Sequence, residues 1–208
     1  VSYPRAHYYV FRPKTRELLD IGRISQAARE AIGPVFSKDG HTYTPDDYGY
    51  FLRYDPEAEK IQRLPTRIPN APWRMNWEGN KAQREIIGPD GYKIYGFPFQ
   101  AVRLYEFDPR VGTYGSMTDH GLLLGEDEFE SFSRLPQGKG LTFGPDGKLY
   151  ILFAAVADSL GGPQGVHIAS YDLETREVHD FGAVRAEGMP PIFNGQEATT
   201  GLDGNMYF

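Results

Sequence analysis

Short apolar-polar alternations run through the whole chain, and they recur between the same phrases. The clearest example is 141–171, where LTFGPDGKLYILFAA is followed by a glycine-rich gap and then VHIASY. Period-two alternation puts successive side chains on opposite faces, so these runs predict half-buried β-strands. Asp-Gly pairs stand between runs at Asp39-Gly40, Asp90-Gly91, Asp146-Gly147 and Asp203-Gly204. Asp-Gly between alternating runs predicts a β-hairpin, because the turn needs a positive φ that glycine tolerates. Between these turns stand Phe11-Arg12-Pro13, Tyr54-Asp55-Pro56, Phe107-Asp108-Pro109 and Tyr171-Asp172-Leu173.

Four strands, a to d, fit each repeat, with a and b flanking the Asp-Gly turn. Strands c and d are expected at 7–12 and 17–24. A full set follows at 32–37, 41–44, 49–54 and near 60–64. The next is at 84–88, 92–96, 103–107 and about 113–122, and a third at 141–144, 148–154, 166–171 and 177–183. A final a-b pair falls at 197–201 and 205–208. The period is about 51–57 residues. Four short strands at that period predict an all-β chain built as β-propeller blades, which bury their faces by stacking around an axis. The blade equivalents are about 1–24 with 197–208, 31–64, 84–122 and 140–183. Three arrangements fit: a closed four-bladed ring, part of a larger ring, or two copies forming an eight-bladed ring. The partial ring is the expectation, because the chain ends at Phe208 within what reads as a buried strand, and an open ring would expose apolar faces that need a partner.

Composition supports this. Aromatic residues make up 14% of the chain, with 24 Gly and 16 Pro, a profile of β-structure and turns. The net charge of −6 gives no basic footprint for nucleic acid. No apolar run approaches the roughly 18 residues of a membrane span. Absence of cysteine excludes disulfides, thiolate metal sites and a cysteine nucleophile, and fits any compartment, secreted or periplasmic included.

The phrases YDP and FDP, the Asp-x-Gly of strand d, and GPDGKLY resemble the divergent bacterial β-propellers. These include NHL-like, gluconolactonase-like and streptogramin-lyase-like repeats, and the propeller polysaccharide lyases and glycosidases. The resemblance spans nearly the whole chain and implies a fold. Such repeats host unrelated functions, so no catalytic set is carried over.

Ligands of propellers of this kind sit at the channel mouth, where the d-to-a and b-to-c links lie. Residues opening strand a form two columns: Ile32, Gln83, Lys139, Gln196, then Gly33, Arg84, Gly140, Glu197. Arg84, Glu85, Lys139, Gln196 and Glu197 suit a ligand bearing hydroxyls or a carboxylate, or else hold ordered water. Trp73, Arg74 and Trp77 could stack on a sugar ring and pair with a uronate, or plug the gap under a long loop. His120 takes an apolar position in strand d and is either a general acid-base or a packed core residue. His41 is the other candidate base. Asp46 and Asp47 form a candidate Ca²⁺ pair or a solvated turn. The acidic run at 126–130 reads as a solvated loop face. No zinc spacing, nucleophile elbow, P-loop or dinucleotide fingerprint is present, so no cofactor is evident. The expected function is therefore binding of a small polar ligand, a carbohydrate or uronate, with lyase or hydrolase chemistry. The alternative is a non-catalytic scaffold completed by another chain or segment.

Overall fold

The computed structural model describes residues 7–24, 34–69, 82–98, 101–124, 137–155 and 165–185, with 187–189, 192 and 195–208. Among them are sixteen strands and no helix. Strands β1 (His7–Arg12) and β2 (Glu17–Arg23) form a two-stranded sheet. Blade 1 is β3 (Val35–Phe36), β4 (Thr42–Pro45), β5 (Tyr50–Asp55) and β6 (Lys60–Arg67). Blade 2 is β7 (Ala82–Ile87), β8 (Ile94–Pro98), β9 (Val102–Asp108) and β10 (Ser116–Leu124). Blade 3 is β11 (Gln137–Phe143), β12 (Leu149–Ala155), β13 (Gly165–Tyr171) and β14 (Val178–Ala183). Strands β15 (Thr199–Thr200) and β16 (Met206–Tyr207) close the series. Each blade is an antiparallel meander in sequence order.

Residues 1–24 and 197–208, expected to share one blade, hold two separate two-stranded sheets with no ladder between their described residues. They flank the three full blades as half-blades. Tyr8 bonds Thr42 and packs on Tyr54 of blade 1, while Thr200 bonds Thr142 of blade 3 at 3.0 Å.

The Asp-Gly turns form as expected but in a longer loop than a two-residue hairpin. Gly40, Gly147 and Gly204 take positive φ and donate to the carbonyl three residues back, and the strands close around a three-residue loop. The aspartate accepts the amide two residues on, as in His41 N to Asp39 Oδ1 at 3.0 Å. Its other oxygen takes a tyrosine four residues on: Tyr43 at 2.6 Å, Tyr150 at 3.1 Å and Tyr207 at 2.7 Å. In blade 2, whose loop is one residue longer, Asp90 binds Arg110 at 2.9 Å instead.

Blades stack through alternating faces. Between blades 1 and 2, Phe51 stacks on Phe107 with centroids 4.2 Å apart and meets Tyr105 edge-on. Between blades 2 and 3, Phe97, Leu104, Leu141, Ile151 and Phe153 form a second buried cluster. Each fully buried side chain of this kind contributes about 1.5–3 kcal/mol by removal from water. This stacking fixes the inner strands β3, β7, β11 and β15 around one space.

Candidate functional site

That space is a cavity of about 570 Å³ lined by β3, β7, β11 and β15. Arg84, Lys139, Gln196 and Glu197 do not themselves line it; they precede its lining residues in the chain, at the end where the inner strands begin, here called the mouth. Strand β7 carries a bulge between Ala82 and Arg84, and β11 carries one between Gly138 and Gly140. Gln83 and Lys139 are therefore the unpaired bulge residues at equivalent places. A bulge re-aims a side chain and reverses the alternation after it.

Arg84 follows its bulge and spans three successive inner strands. Its Nε donates to Lys139 O at 3.1 Å and Gln196 O at 3.2 Å. Its Nη2 donates to Gln196 Oε1 at 3.3 Å and pairs with Glu197 Oε1 at 2.8 Å. Strands β11 and β15 come close enough for this because residue 140 is glycine. A Cβ there would lie 2.7 Å from the Glu197 carbonyl carbon and 2.8 Å from Ala198 N. Burial, and then the Arg84 charge, lower the pKa of Lys139. The mouth thus holds two cations from adjacent blades, one amide and one largely exposed carboxylate.

Below the mouth, the next residue of β7 faces the other way. Glu85 Oε1 accepts from Tyr105 Oη at 2.5 Å, and Oε2 is shielded from solvent with no hydrogen-bond partner among the described residues. Burial pushes the Glu85 carboxyl up to about 8, outweighing the Tyr105 hydrogen bond and the Arg84 charge. Part of Glu85 still lines the cavity. At the far end, Thr200 Oγ1 donates to Phe143 O at 2.6 Å.

The expected mouth residues Arg84, Lys139, Gln196 and Glu197 are thus brought together. Trp73, Arg74 and Trp77 lie outside the described residues, as does the 126–130 run. His120 lies away from the mouth. It occupies a bulge on the outermost strand β10, with its side chain 8% exposed, between Glu106 and Tyr171 of blade 3. His120 Nε2 is 3.6 Å from Glu106 Oε2, too long for a hydrogen bond, while Lys93 Nζ is 2.7 Å from Glu106 Oε1. His120, Lys93 and Tyr95 together lower the Glu106 pKa to about 2. The Asp-x-Gly phrase itself builds bulges. Asp20, Asp119 and Asp180 accept the amide two residues on, and also hold His7, Arg103 and His167 of the neighbouring strand.

His41 follows the a-to-b turn, at the opposite end of the strands from the mouth, with Nδ1 3.5 Å from Asp39. Asp46 is buried, but one oxygen is committed to its turn and the other to Arg63 of β6. Oδ1 accepts Tyr48 N and Tyr50 N at 2.9 Å, and Oδ2 accepts Arg63 Nε at 2.7 Å. Asp47 is also buried. Among the described residues no three histidine or carboxylate side chains converge as a metal set. Sequence reasoning missed Tyr105 and Gly96. The available signal was a glycine inside the apolar run of strand b, which marks a close approach.

No protein-family model matches the chain. No curated protein matches it in sequence. Its fold is similar to that of several solved structures. With the periplasmic gluconolactonase of Pseudomonas aeruginosa, identity is 18%, the TM-score is 0.58, and the match covers 95% of this chain and 54% of that one. With a putative 6-phosphogluconolactonase from Bacteroides uniformis, identity is 14%, the TM-score is 0.53, and coverage is 94% and 54%. With the β-propeller domain of Cps50 (Swd1) from Myceliophteria thermophila, identity is 10%, the TM-score is 0.50, and coverage is 81% and 44%. The chain spans about half the length of these proteins. These matches cover between 81% and 95% of this chain, as a run of consecutive blades would. At the level of fold, this chain is a series of β-propeller blades that resembles the divergent bacterial propellers.

Proposed function

We propose that this chain binds a small anionic polar ligand, a sugar acid of the aldonate or uronate class, at the mouth of its central cavity. The observation that carries this is the convergence of Arg84 and Lys139 from adjacent blades, beside the Gln196 amide and Glu197. Arg84 is neutralised in part by Glu197, but no carboxylate among the described residues pairs with Lys139. A ligand carboxylate would supply that charge, with Glu197 and Gln196 left to accept and donate hydrogen bonds to hydroxyls. The reaction we attach to the site is hydrolysis of a sugar lactone, in which water adds to the carbonyl, the ring C–O bond breaks, and a hydroxyl, a carboxylate and a proton result. The new carboxylate is the group the cation pair suits. The gluconolactonase names among the similar folds agree with this class. Neither His120 nor His41, the bases a lyase would use, stands at the mouth.

The test is calorimetric titration with gluconate, glucuronate and glucose, followed by lactone hydrolysis in a pH-stat. We expect the two acids to bind, glucose to bind at least tenfold more weakly, and both Arg84→Ala and Lys139→Ala to lose the difference. Equal binding of glucuronate and glucose would overturn the proposal.

A further inference from the structure

We propose a second binding site, for an aromatic carboxylate, on the outer seam between blades 1 and 2. The ligand ring enters the cavity beside Tyr50, and its carboxylate meets the guanidinium groups of Arg63 and Arg67. This inference is independent of the ligand proposed at the mouth. Both blades that form the seam are complete four-stranded sheets.

The site is built by a bulge in β6. Strand β5 pairs Leu52 with Arg63 and Tyr50 with Arg67, so the single residue Phe51 faces residues 64–66. Residues four apart along a regular strand stand about 13 Å from each other. Here the strand bends, and both guanidinium groups lie over one ring. The central carbon of Arg63 is 4.0 Å from the Tyr50 centroid, and that of Arg67 is 5.5 Å from it. The bulge is pinned at the seam. Leu64 is buried in the cluster between the two blades. Thr66 Oγ1 donates to Tyr114 O, in the β9–β10 link of blade 2, at 2.8 Å. Pro65 and the bulge blunt this outer edge against pairing with another strand, so recognition here falls to side chains.

Each guanidinium is oriented by its inner nitrogen. Arg63 Nε donates to Asp46 Oδ2 at 2.7 Å, and Arg67 Nε donates to Tyr48 O at 2.7 Å. The Nη groups of both donate to nothing among the described residues. A pair of Nη groups matches the two oxygens of a carboxylate. Among the described residues, Asp46 is the one carboxylate that pairs with either arginine. Two positive charges thus stand against one negative charge, and a single further carboxylate balances the site. A phosphate dianion exceeds that balance.

The cavity beside the arginines decides the rest of the ligand. Its volume is about 460 Å³, and it is lined by Tyr50, Gln62, Arg63, Leu64, Pro65 and Tyr114. That size falls within the roughly 300–1,000 Å³ of small-ligand sites. Four of the walls are aromatic or apolar, which suits a planar ring better than a sugar carrying a hydroxyl on most carbons. Tyr114 is 47% exposed and offers its ring at the open side.

Calorimetric titration with 4-hydroxybenzoate tests the site, with phenol as the uncharged ring. We expect 4-hydroxybenzoate to bind about tenfold or more tightly than phenol, and saturating glucuronate to leave that binding in place. Arg67→Gln and Arg63→Lys should each weaken it by a similar factor. The lysine keeps a cation beside buried Asp46 while removing the paired Nη groups, and thermal unfolding checks that both variants fold. Absent binding, equal binding of phenol, or unchanged affinity in both variants would overturn the proposal. Displacement by glucuronate would do so as well, since the aromatic acid would then occupy the mouth.

Discussion

Tyr105 on the third strand of blade 2 reaches across Gly96 on the second and donates its phenol to Glu85 on the first, at 2.5 Å. The three residues lie in one cross-strand row, Glu85 opposite Gly96 and Gly96 opposite Tyr105. The missing side chain at the middle position is what lets a core tyrosine and an inner-strand carboxyl meet.

Gly96→Ala tests that crossing. A Cβ at this position would overlap Tyr105 Oη and lie 2.6 Å from the Arg84 carbonyl. The backbone neighbour cannot yield cheaply, so overpacking should destabilise the chain by about 1–3 kcal/mol. Urea unfolding checks this, and an unchanged midpoint would show that blade 2 absorbs the methyl.

Glu85 should make stability fall as pH rises from about 4.5 to about 8. Its folded-state pKa is raised to about 8 from an ordinary 4.5, so the folded chain holds a proton that the unfolded chain releases. Stability therefore declines as pH rises between those two values, by at most about 1.4 kcal/mol per pH unit. Glu85→Gln keeps an acceptor for Tyr105 and removes the titration. Unfolding midpoints between pH 5 and 8 should then be flatter than in the parent.

Glu106 acts in the opposite sense. The partners His120, Lys93 and Tyr95 lower its pKa to about 2, so its contribution is present above about 4.5 and disappears as pH falls toward 2. About 3 kcal/mol is at stake. Glu106→Gln should lose stability at pH 7 and little at pH 2.5, measured by thermal unfolding at both values. His120→Gln should lower stability without altering sugar-acid binding, because His120 packs between blades 2 and 3.

Gly140→Ala should loosen the last half-blade. The added methyl meets the backbone of Glu197 and Ala198, so β15 must move away from β11 and from Arg84. Faster hydrogen exchange at Thr199 and Thr200, with blades 1 and 2 unchanged, is the expected result. Binding of sugar acids should weaken together with it.

Much of this protein was determined by local chemistry, and that part could be read from the sequence. The Asp-Gly turns, the alternating strands and the repeat period depend on φ preference and side-chain alternation within a few residues, so the succession of four-stranded blades was visible, and Arg84, Lys139, Gln196 and Glu197 could be named from the two columns that open strand a. Tertiary structure alone decided the rest. The bulges at Gln83 and Lys139 depend on ladder register between strands. The Glu85–Tyr105 bond depends on three strands lying in one row. The placement of His120 between blades, and the separation of residues 1–24 from 197–208 into two half-blades, depend on which faces find cover. Burial and cross-strand distance join residues far apart in the chain, and no local pattern of apolar and polar positions encodes them.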